Sequence, residues 1–376
     1  MQFVKSDDLK IGMRLARPIY NRNGVLLYER NSKLTGQGIM SIKAFGLIGI
    51  FILEPAEPVP PMTEDDIEFE RFQMMQVFGI EEEMKRMWQN RKAGKIETIV
   101  SNIIKSYGHL DHKINFIQGL RSREDYLFKH SLNVAMLCAM FSHALRLKAE
   151  YQHSVVRAAV LHDIGQLKLP RELIGKNDLD EDEKKILDAK ESEGFRILDQ
   201  VYADDPSVKR ICAQCYHVVR EFQEGRRVEG RLTPEAMIMI VAQTFDQMTA
   251  MQFGQSPASE VKALKHLLNH PEIYDEDVVA ALIDSIHILA PGTSVELNNK
   301  EKALVISLNP EDILRPMLLN FKDNSIIDLS LRGNRQLEIT DIMKTMDNRH
   351  VMDTALLKQH GFQVEEPNYV EVPAEA

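Results

Sequence analysis

His162 and Asp163 stand side by side in AAVLHDIGQLKLP, where an apolar helical stretch gives way to Gly165 and an extended LKLP. Adjacent residues inside a helix point about 100° apart, so such a pair can serve one ligand only where the helix is ending. At a helix end, imidazole nitrogen and carboxylate oxygen together suit a borderline or hard divalent cation such as Mn, Fe or Zn. His130, in YLFKHSLNVA, lies one predicted helix earlier among apolar neighbours, which turns its ring inward. His217 lies on a later helix, ICAQCYHVV. Taken singly, each histidine reads as a satisfied core residue. Three inward histidines and an aspartate on successive helices of one bundle read as a shared cation site.

Two further groups carry chemistry. Arg220, Arg226, Arg227 and Arg231 follow His217 closely in a chain that is otherwise acidic. Guanidinium forks suit phosphate, which makes Arg220, Arg226 and Arg227 candidate ligand-binding residues. Glu221, Glu224 and Glu229 stand among them, so a solvated, self-neutralised loop is the simpler reading. Cys212 and Cys215 are spaced to share one helical face, where thiols pack as small apolar groups. A zinc site there would want two more soft ligands nearby. Cys138 is the third cysteine, and three cysteines fit a reducing compartment without a disulfide framework.

The elements that must position these residues fall into three regions. Residues 1–54 read as a small α+β module: GMRLARPIY alternates like a strand, Asn23-Gly24 is a hairpin signal, LTGQGIMSIKAFG is helical with Gly46 as C-cap, and LIGIFIL is a short buried strand. Pro55, Pro58, Pro60 and Pro61 mark a stiff linker over 55–63. From 64 to 290 apolar residues recur every three and four positions, the pattern of an all-helical bundle, with methionines as adaptable core filler. After Pro291-Gly292 the period changes. TSVELNN, KALVISLN, MLLNFKD and SIIDLS read as a small antiparallel sheet within a β-rich extension over 291–363, in which ITDIMKTMD reads as a short helix. Residues 364–376 read as a frayed acidic tail. The fold class is mainly α.

Composition narrows the partners. A formal net charge of −10 argues against a general nucleic-acid binder, which needs a basic face to release counterions. It leaves room for a small anion in a local basic pocket. No window approaches the roughly 20 apolar residues of a membrane span, and the start, MQFVKSDDLKIGMRLA, lacks a signal peptide's order, so a cytoplasmic protein without a membrane partner is expected.

The ordered set HS-x-x-V-A, A-x-L-H-D-I-G with L-x-L-P after it, a helix carrying Y-H, and V-A-x-x-F-D resembles the HD-GYP subgroup of the HD superfamily over roughly residues 115 to 290. The preceding module and the later sheet are similar to segments that accompany such cores. The resemblance implies an all-α bundle holding two or three metal ions, with hydrolysis of a phosphodiester such as cyclic di-GMP. By position it makes His130, His162 and Asp163 metal ligands, Asp163 a catalytic residue as well, and His217 one of a histidine pair.

Several positions depart from that pattern. Gln166 replaces a lysine after H-D-I-G, Lys190 stands where a ligand histidine is expected, and His217 has Tyr216 and Val218 for neighbours. Gln243 replaces an aspartate, and EFQEGRRVEGRL replaces the G-Y-P loop. What remains is a single cation on His130, His162 and Asp163, with Gln243 a weak neutral oxygen and Asp246 a substitute ligand one turn beyond it. The expected cofactor is therefore a reduced set of Fe, Mn or a similar divalent ion, or none. The expected function is a bacterial signalling protein with a degenerate site that binds a cyclic dinucleotide or a protein partner. The alternatives are an active cyclic di-GMP phosphodiesterase with fewer metals, and a scaffold whose histidines are packed relics.

Overall fold

The computed structural model describes residues 2–20, 25–53, 63–176, 178–226, 230–253 and 256–343. The chain opens with β1 (Gln2–Lys5), β2 (Arg14–Leu15), β3 (Ile19–Tyr20), β4 (Leu26–Tyr28), α1 (Gly36–Ala44) and β5 (Gly49–Leu53). β5 is buried along its whole length because it is the centre of an antiparallel sheet ordered β1-β5-β2. GMRLARPIY is two short strands rather than one. Arg17 and Pro18 separate β2 from β3, and proline has no N–H for a ladder. The Asn23-Gly24 turn lies outside the described residues, while β3 and β4 on either side of it pair antiparallel. The Pro-rich stretch is likewise outside them as far as residue 62.

The helical core begins at α2 (Glu64–Asn90), where Thr63 and Asp66 form a reciprocal capping box and Arg91 ends the helix in the left-handed region. α3 (Ile96–Tyr107) buries Ile96, Ile99, Val100, Ile103 and Tyr107, one stripe at helical spacing. Residues 108–125 then run without helix, interrupting the helical pattern expected there. They are tied down by two isolated bridges, Ile114 to Ile286 and Ser122 to Leu47. α4 (Tyr126–Ala144) is buried at nearly every position. It is the axis of the bundle, packed against α2, α3, α5 (Ala149–Leu161), α8 (Pro234–Thr249) and α10 (Glu276–Ser285). α6 (Glu181–Val201), α7 (Ser207–Gln223) and α9 (Glu260–Leu268) complete it. The fold is mainly α, as the apolar periodicity predicts. Among the described residues no helix is long and apolar enough to cross a membrane.

A five-stranded antiparallel sheet closes the described chain: β6 (Ser294–Leu297), β7 (Lys302–Ser307), β8 (Met317–Asn320), β9 (Ile326–Asp328) and β10 (Ile339–Ile342), in the order β10-β6-β7-β8-β9. β10 corrects the helix read over ITDIMKTMD; its remainder from 344 lies outside the described residues. Ile339 and Ile342 are three apart and both buried, a helical spacing. A bulge between Ile339 and Asp341 in the pairing with β6 turns both side chains to one face of a strand.

One backbone contact positions the site. α5 ends at His162, and a 3-10 turn, Ile164–Lys168, follows Asp163. α6 crosses this turn so closely that a Cβ on Gly165 would lie 2.7 Å from Glu191 Cα and closer still to the Lys190 carbonyl oxygen. A Cβ on Gly194 would lie 2.7 Å from Gly165 N. Neither obstruction is a flexible side chain, so nothing can move aside cheaply. Gly165→Ala is expected to destabilise the protein by about 1–3 kcal/mol through overpacking, read as a lower urea midpoint at unchanged m-value. A midpoint equal to wild type would mean that α6 is free to shift.

Candidate metal centre

His130 projects from α4, one turn in from its start, and is 2% exposed. Its Nδ1 lies 2.6 Å from Asp246 Oδ2 on α8. An ionised carboxylate only accepts, so Nδ1 is the donor and Nε2 points to the far side. His162 is built alike: Nδ1 donates to the Ala159 carbonyl oxygen at 2.7 Å, leaving Nε2 as the acceptor. Burial pushes the His162 pKa below its ordinary value against the pull of Asp163, with His130 adding to the lowering.

The two Nε2 atoms stand 3.3 Å apart. Asp163 Oδ2 completes a triangle at 3.4 Å from His162 Nε2 and 3.7 Å from His130 Nε2. Two imidazole nitrogens and a carboxylate oxygen thus face one another. The three edges place all three atoms about 2.0 Å from a common centre, the length of Zn–N and Zn–O bonds. Among the described residues these three form the one group of His, Cys, Asp and Glu with such convergence. The donor set fits a divalent cation.

Asp246 has a different role from the ligand the sequence suggested. It is fully buried, and its oxygens are consumed by His130, Arg121, Gln118 and Asn133. Burial would raise its pKa, but Arg121 and His130 outweigh that and hold the carboxyl well below the usual range. Arg121 Nη2 lies 2.7 Å from both Asp246 oxygens, and the guanidinium stands over the Tyr126 ring. Gln73 extends the network, donating to Asn133 Oδ1 at 2.8 Å. Gln118 and Arg121 come from the non-helical segment before α4, which is why helical periodicity did not find them. Asn133 could have been found, three residues after His130 on the same face of α4.

The other candidates separate. His217 is exposed, its ring against Phe195 and Tyr216, so it does not face the centre as expected. That part of α7 turns Ile211, Cys212, Cys215 and Val218 inward, both cysteines being 1% exposed. Burial pushes both thiols up, as packed cysteines require. Gln243 is buried, but its Oε1 accepts from Cys215 Sγ at 2.8 Å. Lys190 is part-buried and pairs with Glu193 at 3.3 Å. Arg220 is bound to Asp188 and Glu224, each at 3.1 Å, and Arg226 to Glu224. Both arginines are therefore neutralised locally. Arg227 lies outside the described residues.

Glu191, beside Lys190, was missed by the sequence reading. It is 1% exposed, and its carboxylate oxygens have no well-aligned hydrogen bond, only the neighbouring Gln166 amide. Burial first, then the Asp163 charge, drive its pKa well above the usual carboxylate range, with the Gln166 amide pulling the other way.

Removing Asp246 would strand Arg121 without its counter-ion. Asp246→Ala is expected to cost about 3–5 kcal/mol in unfolding free energy, measured by urea denaturation. A loss below about 1 kcal/mol, the size of a surface pair, would show that the network does not hold the core.

Residues 115–278 match the family model described as HD domain. No curated protein matches the chain. Among solved structures the chain is similar to Bd1817, an HDG"Y"P protein from Bdellovibrio bacteriovorus, at 15% identity and a TM-score of 0.47, over 75% of this chain and 98% of that one. The segment that matches the HD domain contains His130, His162, Asp163 and Asp246, together with the Asp246 partners Gln118, Arg121 and Asn133.

Proposed function

We propose that this chain is an HD-GYP-type bacterial signalling protein with a degenerate metal site. It holds one divalent cation, Fe, Mn or similar, on His130, His162 and Asp163. It acts by binding a cyclic dinucleotide or a signalling partner rather than by efficient hydrolysis, and it works in the cytoplasm. The observation that carries this reading is the convergence of three buried ligand atoms without the further ligands that the resemblance leads one to expect. Lys190 is turned to Glu193, His217 is exposed, and the Gln243 oxygen is taken by Cys215.

A divalent cation in such a site would polarise a phosphoryl oxygen and activate water, and a second one would brace the leaving group. The residues here do the preparatory part. Asp246 fixes the His130 tautomer, the Ala159 carbonyl fixes that of His162, and burial keeps competing water out. No second set of donors stands within ligand distance among the described residues. The specific reading against this one is an active cyclic di-GMP phosphodiesterase, which the surviving trio favours.

Protein purified and loaded anaerobically with Fe or Mn is expected to bind about one ion per chain and to hydrolyse little or no cyclic di-GMP. His162→Ala should abolish ion binding. Brisk turnover that His162→Ala removes would establish the phosphodiesterase instead, and no ion uptake at all would leave the scaffold. Asp246→Asn offers an amide where His130 Nδ1 now meets an acceptor, which moves the ring proton to Nε2. Ion affinity by calorimetry should fall about 10–100-fold.

A further inference from the structure

Glu191 is, among the described residues, the carboxylate whose two oxygens are both buried and both without a well-aligned hydrogen bond. The fold holds it there. Gly165 and Gly194 bring α6 against the turn after Asp163, backbone to backbone, so the helix cannot rotate Glu191 out to solvent. One helical step away, Lys190 takes the outward position and its ion pair with Glu193. A carboxylate buried in this position with only a neutral amide near it is costly to keep unless something offsets its charge. Among the described residues no arginine, lysine or histidine pairs with it, and the centre beside it is built to attract a cation.

We propose that Glu191 is the fourth protein contributor to the cation site, a buried carboxylate that offsets the ion's charge from outside the triangle of direct ligands His130, His162 and Asp163. This rests on the cation reading above and names a residue that reading does not need. It also accounts for Lys190. A histidine on the outward step of α6 is dispensable if the inward step carries a carboxylate. Glu191 stands outside the tight triangle, so it acts through its charge rather than as a direct ligand.

The test is Mn(II) titration of the full chain by calorimetry, with melting curves of the metal-free protein alongside. Glu191→Gln removes the charge at constant shape, and Glu191→Met is a second variant that suits an apolar core. The expected result is Mn(II) affinity at least about tenfold weaker in both, with metal-free melting no lower than wild type. The visible spectrum of Co(II)-loaded protein should also change between wild type and Glu191→Gln, a shift that a merely structural role would not produce. Wild-type affinity in both variants, with binding still lost in His162→Ala, would overturn the proposal and leave the three-residue site standing. No Mn(II) uptake by wild type would remove the cation reading itself. If Glu191→Gln does not fold, Glu191→Met decides by the same comparison.

Discussion

The Asp246 carboxylate is fully buried, and four neighbours converge on it: His130 and Asn133 from α4, Gln118 and Arg121 from the segment before α4. A buried charge survives only if it is paired and its lone pairs are used, and here both conditions are met. The arrangement fixes the orientation of the His130 ring, since a carboxylate acceptor on Nδ1 turns Nε2 toward His162 and Asp163. It also fixes where α8 sits against α4. The interaction that stabilises this part of the core is the same one that prepares the site.

The N-terminal module is tied into this network through the backbone. Arg121 accepts a hydrogen bond from Ile48 N at its carbonyl oxygen, and Ser122 bridges to Leu47. Leu120 packs with Phe51, Leu53 and Met251 where module and bundle meet. A segment without helical hydrogen bonds of its own is thereby given partners on both sides, which satisfies its polar groups and aims Arg121 inward. The second fixed contact is the crossing of α6 over the turn after Asp163. Glycine is required at 165 and 194 because backbone occupies the space that a side chain would need.

These two constraints also explain how the site is closed on its remaining sides. α7 turns Cys212 and Cys215 toward the interior and His217 to the surface. Thiols pack there as small, poorly hydrated groups, and one of them engages the Gln243 oxygen. The centre is consequently narrow: three donors in ligand geometry, a buried carboxylate next to them, and packed core beyond.

The amino-acid sequence by itself determined the helical class, the α+β start, four of the five strands of the later sheet, and the trio His130, His162 and Asp163. Each of these is written locally, in apolar periodicity, in turn residues, or in a helix that breaks at a His-Asp pair. Tertiary structure alone decided the rest. Ile339 and Ile342 carry a helical spacing that a bulge converts to strand. His217 follows an apolar stripe yet faces solvent, because α7 presents Cys212 and Cys215 to the core instead. Asp246 was placed near the site by its helical step from Gln243, but only the arrival of Arg121 from an irregular segment over 120 residues earlier makes it a support for His130 rather than a ligand. Glu191 lies next to the residue that the sequence singled out, and one step of a helix separates outward from inward. Which step faces in depends on how closely two backbones meet at Gly165 and Gly194, and that distance is a property of the packed fold.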